Sequence, residues 1–288
     1  MPAAPFRPLV VNALYPGLDR GLAADLLVAR ALGGRALAVC TSLIVAGGGR
    51  VADVLDVPSD TVEAQLQHLL ATDAPTGAKL SILGDFRGAI TAIEALSKAN
   101  VGSLVLDVTL SGPEGEDLAD GRVRDALVER FSAATLVTLR AVDAALVAGM
   151  EIETLEDAQV AVQRLHLRGA ASVLLRLPAL PASTADAGSA PAGGDGSGAA
   201  LPYRANLFYD GRDFSLVETP DVPGGDALAG ASSALTLALL KGLVDGRPVV
   251  EAVQMASAYA FEAVRLGLET APYDAPAYLA AYGRVYAR

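Results

Sequence analysis

Cysteine and histidine are scarce in this chain, and each shortage removes a class of chemistry. One cysteine, Cys40, in 288 residues excludes an intrachain disulfide and a cysteine-based metal cluster. Two histidines, His68 and His166, argue against a histidine-rich metal site. No apolar run approaches the ~20 residues of a membrane span, so no membrane association is expected. The opening stretch MPAAPFRPLVV lacks a charged leader followed by a cleavable apolar core, which predicts a cytoplasmic protein without a signal peptide. Positive charge is also in deficit, with 22 Lys and Arg against 33 Asp and Glu and a net charge of −11. That balance argues against a general nucleic-acid binder, which would present a basic face. A phosphate-bearing small ligand remains compatible, because a local group of backbone N–H donors can outweigh global charge.

What is present is alternation. Short β-branched runs exchange with amphipathic stretches along most of the chain. Strands are predicted at 9–14, 37–45, 79–83, 103–110, 135–139 and 171–177. Helices are predicted at 20–31, with Leu22, Leu26, Leu27 and Ala31 at helical spacing, and at 59–70, capped by Ser59 or Asp60. Others follow at 87–99, 117–131, 142–148 and 155–167. Gly47, Gly48 and Gly49 break the chain into a loop, a weak signal for a phosphate cradle without a Lys or Ser/Thr motif. Residues 206–209 and 214–218 flank Asp210-Gly211-Arg212 as a hairpin. Helices at 248–268 and 275–286 close the chain, and no internal repeat is evident.

This order predicts an α/β fold, a mostly parallel central sheet with helices on both faces, with ligands beyond the carboxyl ends of the strands. The whole chain, 1–288, reads as one domain. Residues 181–200 are low-complexity Gly, Ala, Ser and Pro and read as a flexible surface loop within it.

The stretch 222–242, VPGGDALAGASSALTLALLKG, places a Gly-Gly turn and one acid before a helix of small and apolar residues. Such a turn collects backbone N–H groups at the positive end of a helix dipole. Asp226 has two readings there, a helix cap or a base that takes a proton from a substrate hydroxyl. Asp107, near a strand end, is either a turn-forming acid or a participant in chemistry. Cys40 reads as a structural thiol, and the histidines as helix-surface residues.

Several segments together resemble one family. Pro223-Gly224-Gly225-Asp226 before the small-residue helix resembles the Gly-(Thr/Ala)-Gly-Asp signature of the hydroxymethylpyrimidine and phosphomethylpyrimidine kinases of thiamine biosynthesis. These are ribokinase-like proteins related to the pyridoxal kinases. Residues 79–84 (KLSILG), 104–110 (LVLDVTL), Val137-Thr138 through Asp143, and Ala23-Ala24-Asp25-Leu26 resemble further segments of the same family. The resemblance covers about residues 8–265. It implies ATP and Mg²⁺, with a small heteroaromatic alcohol as partner, and a homodimer.

Carried onto this sequence, the resemblance makes Asp226 the catalytic base and Gly224, Gly225 and Asp226 an anion hole. Asp107 and Asp143 would hold Mg²⁺ through water. Arg140 and Arg176 stand where the family has Asn and Lys, and would meet nucleotide phosphates, with salt bridges as the other reading. Tyr15, Asp19 and Ala46 fall at substrate-binding positions, where the family has an Asp, a glycine and a ring-binding Gln. Pro223 removes one backbone N–H from the turn. Three readings follow: a kinase for a hydroxymethyl group on a heteroaromatic ring, a catalytically impaired nucleotide- or vitamin-binding or structural subunit, or a pyridoxal or sugar kinase of the same superfamily.

Overall fold

A chain of short apolar strands separated by helices can bury both faces of every strand only by stacking the helices on either side of one sheet. A computed structural model describes residues 5–17, 20–180, 203–222, 230–270 and 275–286. The elements are β1 (Pro8–Leu14), α1 (Gly21–Ala31), β2 (Leu37–Gly47), β3 (Arg50–Asp56), α2 (Ser59–Thr72), β4 (Gly77–Leu80), α3 (Phe86–Ala99), β5 (Ser103–Val108) and α4 (Gly121–Val128). They continue with β6 (Leu136–Arg140), α5 (Ala141–Ala148), α6 (Leu155–Leu167), β7 (Val173–Leu180), β8 (Tyr203–Tyr209), β9 (Phe214–Pro220), α7 (Ala231–Val244), α8 (Val249–Thr270) and α9 (Ala275–Val285).

Among the described residues the strands form a nine-stranded sheet in the order β3-β2-β1-β4-β5-β6-β7-β8-β9. The pairs from β2 through β7 are parallel, and β3, β8 and β9 are antiparallel. The chain leaves β1 for β2 on one side and returns to β4 on the other, so the order reverses between β1 and β4. A crevice opens beyond the strand ends at such a reversal. The predicted mostly parallel sheet with helices on both faces is what the chain forms. No helix among the described residues is long and apolar enough to cross a membrane.

Strand alternation divides the core in two. Val11, Leu80, Leu106 and Val137 face α2 to α6, packing with Leu66, Ala92, Val123 and Val162. Val10, Val105, Leu136 and Leu174 face α1, α7, α8 and α9, packing with Val28, Leu237, Val253 and Ala281. Helix α7 is apolar almost all round and is buried from Ser233 through Leu240, as expected of a helix enclosed between a sheet and other helices. Its close approach explains Gly77 on β4, where a Cβ would come within 2.9 Å of Leu240 Cδ1 and 3.0 Å of the Ser103 carbonyl.

Several expectations change on contact with the structure. The glycine loop after β2 is the turn of a hairpin into β3. Gly48 and Gly49 have φ of 59° and 83°, and positive φ at both central residues suits a two-residue hairpin. Strand β3 was not predicted, because its exposed, polar sequence RVADVLD lacks a buried face. Helix α2 starts at Ser59 with Pro58 before it and no side-chain cap, so neither Ser59 nor Asp60 caps it. The helix expected at 117–131 is shorter, because Asp120 accepts the N–H groups of Arg122 and Val123 and starts α4 there. The hairpin at Asp210 forms as expected, with its carboxylate accepting from Arg212 N at 2.8 Å and Asp213 N at 2.7 Å. The low-complexity stretch at 181–200 lies outside the described residues.

Leu237 is fully buried where α7 meets the sheet. Leu237→Ala should lower unfolding free energy by about 2–5 kcal/mol, read as a lower urea midpoint with an unchanged slope.

Candidate active site

Apolar strands with a single charged residue near the carboxyl end are the local signal from which the site is built. Lys79 of β4, Asp107 of β5 and Arg176 of β7 project from the sheet face that packs against α1 and α7, where hydrophobic residues would otherwise sit. Asp25 meets them from α1. All three residues of the Asp25, Lys79 and Asp107 set are at most 1 % exposed. Burying such charges is affordable only when each is paired and hydrogen-bonded.

The pairing is continuous. Lys79 Nζ donates to Asp25 Oδ1 at 2.6 Å and lies 3.6 Å from Asp107 Oδ2. Asn12 Nδ2 donates to the other oxygen of Asp25 at 2.9 Å. Arg176 donates through Nη2 to Asp107 Oδ1 at 2.8 Å and through Nη1 to Ser232 Oγ at 2.5 Å. Ser232 Oγ in turn donates to Asp107 Oδ2 at 3.1 Å. This chain runs from α1 through β4, β5 and β7 to the first turn of α7.

A second cluster stands beside it. Asp143 of α5 is fully buried, and its Oδ1 accepts from Leu110 N, Ser111 N and Ser111 Oγ at 3.0–3.1 Å. Its Oδ2 accepts from Arg140 Nε at 2.8 Å, while Arg140 Nη2 donates to the Ser111 carbonyl at 2.6 Å. Asp143 thereby fixes both the turn after β5 and the direction of Arg140.

Two cavities adjoin over these clusters. One, of about 500 Å³, is the more polar of the two and is walled by Asn12, Tyr15, Arg20, Lys79, Asp107 and Thr109 among others. The other, of about 640 Å³, is largely apolar, with Val142, Ile152, Leu177, Pro220, Leu235 and Phe261 on its wall. Arg140, Arg176, Ala231 and Ser232 line both. The arginine pair therefore stands at the waist of a two-part cleft, with a largely apolar cavity on one side and a more polar one on the other.

The predicted residues divide into three groups. Tyr15, Asp107, Arg140 and Arg176 come together on the polar cavity. Burial raises the Tyr15 phenol above its usual pKa, with Arg20 and then Arg140 pulling it back, so it faces the cavity as a neutral hydroxyl. Ala46 packs beside Tyr15 in a small apolar cluster with Ala13, Ile44 and Ile82, next to the cavity wall rather than on it. Asp19, Gly224, Gly225 and Asp226 lie outside the described residues. Helix α7 begins at Ala231 with Gly230 at its N-cap position, which removes the reading of Asp226 as the cap of that helix. Cys40 is half-buried, His68 is exposed on α2, and His166 bonds the Ala170 carbonyl at 2.8 Å; none of them lines either cavity.

Sequence reasoning missed Ser232, Asn12 and Arg20 as cavity residues, and the buried role of Asp25. Their signal was a polar residue on an otherwise apolar stripe, which is weak for Ser and Asn and stronger for Asp25 and Lys79.

A family model described as phosphomethylpyrimidine kinase matches residues 19–277. The chain belongs to the phosphomethylpyrimidine kinase family. A hydroxymethylpyrimidine/phosphomethylpyrimidine kinase of Aquifex aeolicus is 24% identical over 246 residues, covering 85% of this chain and 89% of the relative. In fold, the chain is similar to a Staphylococcus aureus pyridoxal kinase solved with AMP-PCP and pyridoxal, with a TM-score of 0.74, 22% identity and coverage of 91% and 89%. It is similar also to a Clostridium difficile phosphomethylpyrimidine kinase, with a TM-score of 0.69, 19% identity and coverage of 90% and 99%. The ribokinase-like fold and the kinase class of the family agree with the resemblance drawn from the motifs.

The expected metal ligands do not fit a cation as they stand. Divalent magnesium is a hard cation held by oxygen ligands, usually one or two carboxylates whose negative charge offsets its own. Both oxygens of Asp107 and both of Asp143 already accept protein donors, one of them a guanidinium in each case. No group of three or more His, Cys, Asp or Glu suited to a metal occurs among the described residues.

Lys79→Met removes the cation between Asp25 and Asp107. The loss should be about 3–5 kcal/mol of unfolding free energy, measured by urea denaturation. Adding Asp25→Leu to that variant should recover part of it, because the second change removes the charge left unpaired.

Proposed function

We propose that this chain transfers the γ-phosphoryl group of ATP to a hydroxymethyl group on a small heteroaromatic ring. The observation that carries the reading is the two-part cleft joined at Arg140, Arg176 and Ser232. The apolar part suits a nucleobase and ribose. The polar part, above the crevice between β1 and β4, suits the ring that bears the alcohol. Phosphates reaching from one part to the other would pass the two guanidiniums, whose planar donor geometry matches phosphate oxygens.

Asp226 is the proposed base. Val222, before residues 223–229, lines the apolar cavity, and Gly230, after them, lines the polar one. The described residues on either side of the segment that carries Asp226 thus line the two parts of the cleft, which supports a role for Asp226 at the point of transfer. Asp226 would accept the proton of the acceptor hydroxyl as the new O–P bond forms and the bond between the γ-phosphorus and the β–γ bridging oxygen breaks, releasing ADP. Gly225 and Asp226 N–H groups would meet the charge on the transferring phosphoryl. Phosphoryl transfer depends mainly on such positioning and electrostatics.

Tyr15 offers the polar cavity an aromatic face with a neutral hydroxyl. Ala46 stands where the family resemblance expects a ring-binding Gln and lies off the cavity wall, so that hydrogen-bond partner for a ring nitrogen is missing. This favours a pyridine such as pyridoxal as a second candidate beside the pyrimidines, because an unpaired polar group buried with its ring costs about 1–3 kcal/mol.

The test is ADP release with hydroxymethylpyrimidine, its monophosphate and pyridoxal as separate acceptors. One acceptor should be phosphorylated, and Asp226→Ala should lower that kcat by about 10²–10⁴-fold with nucleotide binding retained. ATP binding without turnover on any acceptor would replace this reading with that of a non-catalytic binding member.

A further inference from the structure

The waist of the cleft holds three buried acids and three cations. Asp25, Asp107 and Asp143 are matched by Lys79, Arg176 and Arg140, so the described charges of these two clusters sum to zero. Every acid in the set has its partner within the protein. A cation that took the place of a guanidinium or ammonium on one of these carboxylates would leave that basic group without its partner. An anion meets no such barrier. Arg140 is 35% exposed in its side chain and donates to Asp143 and Ser111 through Nε and Nη2, so other donors of the same planar group remain for a ligand. Arg176 Nε is buried with no partner among the described residues. Arg20, on the wall of the polar cavity, adds further positive charge on that side.

We infer that Arg140 and Arg176 neutralise the phosphates of the bound nucleotide themselves, and that nucleotide binding to this chain does not require a divalent cation. The inference rests on the nucleotide site proposed above. The carboxylates at the waist serve to aim the two guanidiniums. Asp143 holds Arg140 from one side and Asp107 holds Arg176 from the other, so both are oriented before the ligand arrives and little side-chain freedom is lost on binding.

The probe is ATP itself, titrated calorimetrically into the full chain in excess EDTA and again in excess magnesium chloride. The two dissociation constants should agree within about threefold. Binding that is tighter by more than about tenfold with magnesium would overturn the inference and leave the proposed function standing. Absence of ATP binding in both buffers would remove the nucleotide site and this inference with it. Arg140→Gln should weaken ATP binding in EDTA by about tenfold or more, with the far-UV circular dichroism of a folded chain, and magnesium should restore part of the loss. Wild-type affinity of Arg140→Gln in EDTA would also overturn the inference. Should that variant unfold, the wild-type comparison between the two buffers decides alone.

Discussion

The fold is organised around a line of buried charge. Asp25, Lys79, Asp107, Arg176 and Ser232 link α1, three strands of the sheet and the start of α7 through hydrogen bonds and, between Lys79 and Asp107, an ion pair at 3.6 Å. Each of these side chains would be unfavourable alone in an apolar interior, and together they leave no acid unpaired. This makes the line demanding of geometry. A helix or strand displaced by one residue would break a pair at substantial cost, because strand side chains change face at every step. The same requirement that holds α1 and α7 in register on the sheet holds the polar wall of the cleft in shape. Stability of this layer and preorganisation of the site are one property here.

The large features of the fold were legible because they follow from period. Apolar runs of strand length alternating with helical stretches can satisfy burial on both faces only as a layered α/β sheet. Strand β3 was illegible for the corresponding reason, since an exposed edge strand has no face that must be apolar. Helix α1 shows where period misleads. Its sequence places Leu26 on the apolar stripe, yet Leu26 is 41% exposed while Asp25 is fully buried. The bond to Lys79 turns the helix so that the acid faces inward, and no hydrophobic pattern in a local window carries information about a lysine 54 residues away.

The site was legible in its charged members and illegible in its arrangement. A lone Lys in KLSIL and a lone Asp in LVLDV stand out against apolar neighbours, and both reach the cleft. Arg140 and Arg176 carried two readings, phosphate ligand or salt bridge, and the structure gives each a salt bridge within reach of the cleft. For an arginine the two readings are compatible. A guanidinium has more donors than one carboxylate can accept, and the carboxylate fixes the plane in which the remaining donors point. A lysine ammonium lacks that planar fork and would be aimed less well by the same partner.

This separates two ways of bringing an anionic ligand into an acidic protein. Global charge acts at long range and is screened within about 8–10 Å at physiological salt, so the net charge of −11 opposes the approach of a nucleotide only weakly. Within the cleft the local terms dominate, where Arg20, Arg140 and Arg176 line a wall whose carboxylates are already neutralised. A phosphate bound there would meet donors held in place by buried acids and the first turn of α7 at Ser232 and Ser233. Moving the compensating charge from a free ion onto the polypeptide fixes its position permanently. Under the proposed metal-independent binding that charge could not leave with the product, so release of ADP would have to overcome contacts that a departing metal–nucleotide complex would carry away with it.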